Sequence, residues 1–190
     1  MTDDPLWPRA AAWLSTEAGP ADVAIVGVPT HLTSISPTGA QATPVAIRAA
    51  LSRYSTYSWS HDIDLASIVA RDGGDVLSPD GEEGIARVIE RTSELAAQSR
   101  LLIALGGDNS LTYSVALGVW GGRVPASGLV TLDAHHDLRD GARPRPWPRP
   151  LARGVAWAAS RAPGIPRRHR APSASRWSRA MRYVVGRCRM

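Results

Sequence analysis

The sequence predicts an α/β fold built on a parallel sheet. Three observations carry this. Residues 22–28 and 101–105 are apolar almost without interruption, as strands buried on both faces are. The segments between and after such runs carry apolar residues at helical spacing. The most polar motifs stand where apolar runs end, the place where parallel sheets with helical crossovers put their ligand sites.

Taken in order, the first run, Asp22 to Val28, ends in Pro29-Thr30 and reads as the first strand of the sheet. Thr43-Pro44 predicts a cap and first turn for a helix from Val45 to Tyr54, with proline at the position a helix tolerates. A second helix is predicted from near Asp80 through Ile85, Val88, Ile89, Leu95 and Ala96. It delivers the chain to the strand at 101–105, which runs into Gly106-Gly107-Asp108-Asn109-Ser110. A further helix over 111–119 leads to a strand over 127–132 that ends in Asp133-Ala134-His135-His136-Asp137. Strands joined through helices imply a parallel sheet with helical crossovers.

The charges divide the chain. Its 190 residues carry a formal net charge of +5, with no lysine and no phenylalanine. Residues 1–141 hold all 17 acids and nine arginines, a net of −8, whereas residues 142–190 hold thirteen arginines and no acid. The high isoelectric point therefore belongs to the tail, and the rest is an acidic protein of ordinary composition. A single cysteine, Cys188, excludes an intramolecular disulfide and any cysteine-based zinc cluster, so a bound metal would use His, Asp or Glu. No run of 18 apolar residues occurs, and the acidic start MTDDPLW lacks the order of a secretory signal; the chain reads as soluble and cytoplasmic, with no membrane partner.

In an extended segment the side chains at i, i+2 and i+4 share a face, so Asp133, His135 and Asp137 converge while His136 turns away. Two carboxylates and an imidazole suit Mn²⁺, with Zn²⁺ or Fe²⁺ as alternatives. A polar strand end that caps the next helix is the competing account; the Gly-Gly-Asp motif at the end of a neighbouring strand argues against it. Elsewhere, His31 reads as a solvated loop residue, and His61, Asp62 and Asp64 as decoration of a surface turn. Ser110 reads as a helix cap rather than a nucleophile, since no G-x-S-x-G surrounds it. Arg139 is a candidate for binding a substrate carboxylate, with a surface salt bridge as the alternative, and His136 for a substrate-side role.

At these residues the chain resembles a family. ALGGDNS (104–110) followed by TLDAHHDLRDG (131–141) is similar to the two amino-terminal metal motifs of the ureohydrolases, the arginase, agmatinase and formimidoylglutamase superfamily. Gly27-Val28-Pro29, the Thr43-to-Arg48 helix start and Asp72-Gly73-Gly74-Asp75 resemble further family segments, and Asp-Leu-Arg after His136 is most similar to formimidoylglutamase. The resemblance implies a three-layer α-β-α arginase-like fold with a parallel sheet, truncated after about the first half. It also implies an oligomeric hydrolase of small amidine or guanidino substrates with two Mn²⁺ ions, bridged by Asp133, one bound by His135 and the other by Asp137. Two departures stand out: Asn109 occupies a position that is usually His in the family, and no downstream Asp-x-Asp follows, since no acid lies after Asp140.

The chain is thus expected to divide into residues 1–141, the amino-terminal part of a ureohydrolase-like domain, and residues 142–190, an Arg/Pro-rich tail that is disordered or out of frame. A reading-frame slip near Gly141 is the simplest account of the tail. A genuine basic extension that binds nucleic acid or an acidic partner is the alternative, and no nucleic-acid partner is expected on the first account. The function expected is hydrolysis of N-formimidoyl-L-glutamate to L-glutamate and formamide, impaired in this chain. The alternatives are a guanidino hydrolase releasing urea and a non-catalytic remnant.

Overall fold

The computed structural model describes residues 8–34, 36–130, 132 and 183–186, the last four as backbone only. A short helix α1 (Ala10–Trp13) and a two-residue strand β1 (Leu14–Ser15) lead to β2 (Ala21–Val28), whose last five residues are buried. The sequence reading of residues 22–28 as a strand holds, but β1 precedes it in the sheet. Helix α2 (Thr43–Leu51) follows a 3-10 turn, Ala40–Ala42. Thr43 is therefore already helical and does not cap. The helix also stops at Leu51 rather than Tyr54, because Ser52 turns its hydroxyl back onto the carbonyl of Ala49 and the next amides close tight turns.

An antiparallel hairpin, β3 (Tyr57–Ser58) and β4 (Ile63–Asp64), carries His61 and Asp62 in its exposed turn, as expected of a surface feature. Strand β5 (Ala70–Asp75) was not legible as a strand, since its sequence is Ala-Arg-Asp-Gly-Gly-Asp. Arg71, through Nη1, and Asp72 find partners elsewhere in the fold, while the buried Nε of Arg71 has none among the described residues. The buried Arg71 guanidinium donates to the Gln98 side chain at 2.7 Å and to the Gly19 carbonyl at 3.2 Å, and Asp72 takes a fork from Arg48.

Helix α3 (Gly81–Gln98) runs from the Asp80 position to the start of β6 (Ser99–Gly106), and α4 (Leu111–Trp120) follows, close to prediction. In α3 the buried positions Gly84, Val88, Thr92 and Leu95 fall at spacings of three and four, the stripe that an amphipathic helix turns to a sheet. Alternate residues of β2 and β6, Ala24, Val26 and Val28 with Leu102 and Ala104, pack with Val88, Leu95, Leu111, Val115, Ala116, Val119 and Trp120 into one core. Helix α2 lies against the opposite face, with Pro44 buried there. At Gly27 a Cβ would stand 2.9 Å from the Cβ of Pro44 and closer still to the Asp75 carboxylate, so only glycine lets α2 and β5 approach here.

The sheet order is β1-β5-β2-β6-β7, with β7 formed by Tyr183–Gly186. The first four strands are parallel, and β2 and β6 run in register from Ala21 opposite Ser99 to Val28 opposite Gly106. This bears out the parallel sheet with flanking helices. One element is corrected: among the described residues of the strand predicted over 127–132, no strand is formed. After α4 a 3-10 segment covers Gly121–Ala126, residues 127–130 and 132 lie outside any strand, and Val130 and Leu132 are 86 and 89% exposed. The edge of β6 that such a strand would fill pairs instead with β7, antiparallel, from Leu101 opposite Gly186 to Ala104 opposite Tyr183.

Candidate metal centre

The carboxyl ends of β2 and β6 lie side by side, and the loops that leave them are joined. The Gly107 amide donates to the Val28 carbonyl at 3.0 Å, the Asp108 amide to the Thr30 carbonyl at 2.8 Å, and the Thr30 hydroxyl to the Asp108 carbonyl at 3.3 Å. This contact needs glycine at 107, where a Cβ would lie 1.9 Å from the Thr30 carbonyl oxygen. Gly107 is thus set by backbone approach, whereas a Cβ at Gly106 would meet the Leu111 side chain at 2.0 Å.

Asp108 is the hub of the site. One carboxylate oxygen accepts from the Thr33 hydroxyl at 2.7 Å and the Ser34 hydroxyl at 3.2 Å, and the other from the amide and hydroxyl of Ser110. Burial pushes this carboxyl up, but the bonds from Ser110, Thr33 and Thr30 outweigh it and hold Asp108 below the usual carboxylate range. Asp108 therefore stays ionised and fixes the start of α4. Ser110 occupies the cap position, but its hydroxyl serves Asp108 rather than a free helix amide.

Asn109 is exposed, and its amide oxygen accepts from the Thr112 hydroxyl at 3.0 Å. That oxygen is the atom it would offer a metal. His31 is not simply solvated: its amide donates to Asp80, and its Nδ1 lies 3.3 Å from the same carboxylate. Asp80, which also accepts from the Leu32 amide, thereby ties the loop after β2 to the start of α3.

A second charged cluster lies at the end of β5. Arg48 grips Asp72 through Nε at 2.6 Å and Nη2 at 2.8 Å, reaches Asp75 with Nη1, and donates to the Gly74 carbonyl at 3.1 Å. Burial raises the Asp72 carboxyl, yet the Arg48 bond and the Gly74 amide hold it below its ordinary value; the Arg48 guanidinium is raised by its bond to Asp72. Sequence reasoning noticed Asp72 to Asp75 and Arg48 only through resemblance. Thr30, Thr33, Ser34 and Asp80 it missed, although a run of hydroxyl residues after a buried strand was the available signal.

Asp133, His135, His136, Asp137 and Arg139 lie outside the described residues. Among the described residues no group of three or more His, Cys, Asp or Glu side chains could hold a metal ion, and no helix is long and apolar enough to cross a membrane. The chemistry of Asp133, His135 and Asp137, two carboxylates and an imidazole, fits a divalent ion of the Mn²⁺ type.

Comparison with known proteins bears on the family and the fold. A family model described as the arginase family matches residues 21–154, and so extends past Gly141. A formimidoylglutamase of Halalkalibacterium halodurans is 35% identical over 120 residues, covering 61% of this chain and 37% of that protein. An agmatinase of Pyrococcus horikoshii is 35% identical over 123 residues, covering 63% of this chain and 42% of its own length. The chain therefore spans about two fifths of the length of these relatives. Among solved structures, Trypanosoma cruzi formiminoglutamase with Mn²⁺ superposes with a TM-score of 0.61 at 24% identity, over 72% of this chain and 48% of that one, which shows the fold. With its parallel sheet, its joined loops at the carboxyl ends of β2 and β6, and a family match over most of its length, this chain belongs to the arginase family.

Proposed function

We propose that the chain carries the amino-terminal part of a metal-dependent hydrolase of linear amidines, with N-formimidoyl-L-glutamate as substrate and L-glutamate and formamide as products. The observation that carries this reading is the Gly106-to-Ser110 turn, locked onto Thr30 at the carboxyl end of a parallel strand, with Asp133, His135 and Asp137 on the next segment of the chain. Formimidoylglutamase relatives, and the Mn²⁺ carried by the Trypanosoma cruzi enzyme, support it.

In this reading Asp133, His135 and Asp137 would hold Mn²⁺, which when bound supplies an ionised water at neutral pH. Asn109 adds little, because an amide oxygen is a weaker donor than imidazole and here already accepts from Thr112. The role of Asp108 is to hold the turn rather than the metal, since both its oxygens are taken. Arg139 and His136 are candidates for the substrate carboxylate and the amidine end. Residues 141–190 contain no acid, so the 190-residue chain tested alone offers no carboxylates there for a second ion and is expected to show little or no turnover.

Mn²⁺ titration of the 190-residue chain tests this. One weak saturable site, lost in His135→Ala, is expected. No saturable binding, binding untouched by His135→Ala, or robust Mn²⁺-dependent release of formamide would each contradict a part of the proposal. The agmatinase similarity supports a second substrate class, guanidino compounds releasing urea. Assaying formamide against urea separates the two, with a frame-restored protein if resequencing through codons 138–145 shows a slip.

A further inference from the structure

The outer edge of β6 has two claimants within the same chain. Tyr183–Gly186 holds it in antiparallel pairing. Residues 127–132 have the better local credentials. They follow β6 through α4, the connection that returns a chain to the start of a parallel neighbour. Their sequence, Ser-Gly-Leu-Val-Thr-Leu, is that of a strand buried on both faces. They also begin in the right place, because Leu129 packs against the core that α3 and α4 form over the sheet. Beyond that point Val130 and Leu132 are left almost wholly exposed.

An edge strand presents one row of amides and carbonyls and accepts one partner. The geometry points to a contested edge: Tyr183–Gly186 and residues 127–132 are mutually exclusive occupants of β6, and the tail strand is an internal competitor that keeps the predicted strand out of the sheet. Leu132 directly precedes Asp133, so the same competition sets whether the metal-motif segment leaves the sheet beside Asp108. The inference concerns backbone pairing alone, and it stands or falls apart from the proposed metal chemistry.

Hydrogen exchange followed by mass spectrometry on the full chain tests it. In the unmodified chain, peptides covering Tyr183–Gly186 and β6 should be protected, and those covering 127–132 should exchange freely. In a Val184→Pro, Val185→Pro chain, which cannot donate from those positions, exchange over 127–132 should slow by about tenfold or more while β6 stays protected. Adding Val130→Pro to that chain should remove the gain. If 127–132 stays unprotected in the double-proline chain, or is already protected in the unmodified one, the inference is overturned. Should the proline chain lose protection in β2 as well, a synthetic peptide of residues 126–133 in excess over the unmodified chain decides. Loss of protection at Tyr183–Gly186 supports the competition, and unchanged exchange sinks it.

Discussion

Glycine 107 shows how far single side chains reach in this fold. A Cβ there would meet the backbone of Thr30 at 1.9 Å, and backbone gives way only if the two loops part. Gly107→Ala should therefore cost about 1–3 kcal/mol and raise exchange at the Asp108 amide, with β2 and β6 still paired; an unchanged urea midpoint would count against the loop contact. Asp108 and Asp72 make a pH prediction. Both are held below the ordinary carboxylate value when folded, so the unfolded chain takes up protons first as pH falls. Their contribution is full above the ordinary carboxylate range, and it is lost as pH drops through that range to their folded values. Denaturant resistance should fall on acidification below about pH 4, and Asp108→Asn should flatten that fall. At this scale the sequence made Asp133, His135 and Asp137 visible, because their spacing is local. It did not show that Asp108 would be held by Thr33 and Ser34, which lie some 75 positions away in the chain.

Helices and strands were legible where burial is periodic. The stripe of α3 predicts its own energetics: Leu95, 1% exposed, should cost about 2–5 kcal/mol on replacement by alanine. Glu83→Gln on the outer face should change stability by less than about 1 kcal/mol, since the Glu83–Arg87 pair is solvated. Thermal or urea unfolding of the two variants side by side checks the contrast, and equal losses would mean that α3 is not packed as described. Strand β5 was hidden because its stabilisation is not in its own apolar content. Arg71 and Asp72 are tolerated in the sheet through Gln98, Gly19 and Arg48, partners that the local pattern cannot reveal. The strand predicted at 127–132 has the apolar content and lacks the pairing, since another segment holds the edge.

At the level of the whole molecule, among the described residues the sheet ends at the edges of β1 and β7, and large apolar side chains stand in solvent. Leu32, Trp59, Leu77, Val130 and Leu132 are each at least 71% exposed. Exposed apolar side chains together with unpaired sheet edges favour association. The purified chain is expected to elute as a mixture of species larger than a monomer and to melt over a broad range; a single monomeric peak with a sharp calorimetric transition would refute this.

The α/β class, strands β2 and β6 and helices α3 and α4 are readable from the sequence alone, and Asp133, His135 and Asp137 can be proposed as ligands from it. Each of these is written in neighbouring residues, as an unbroken apolar run, a helical stripe or an alternate spacing. Tertiary structure alone decided that a polar segment becomes β5, that Asp108 braces a turn through hydroxyls from another loop, and that Tyr183–Gly186 takes the edge of β6. These outcomes depend on which distant groups meet, and an edge or a buried charge accepts whichever partner the folded chain brings to it.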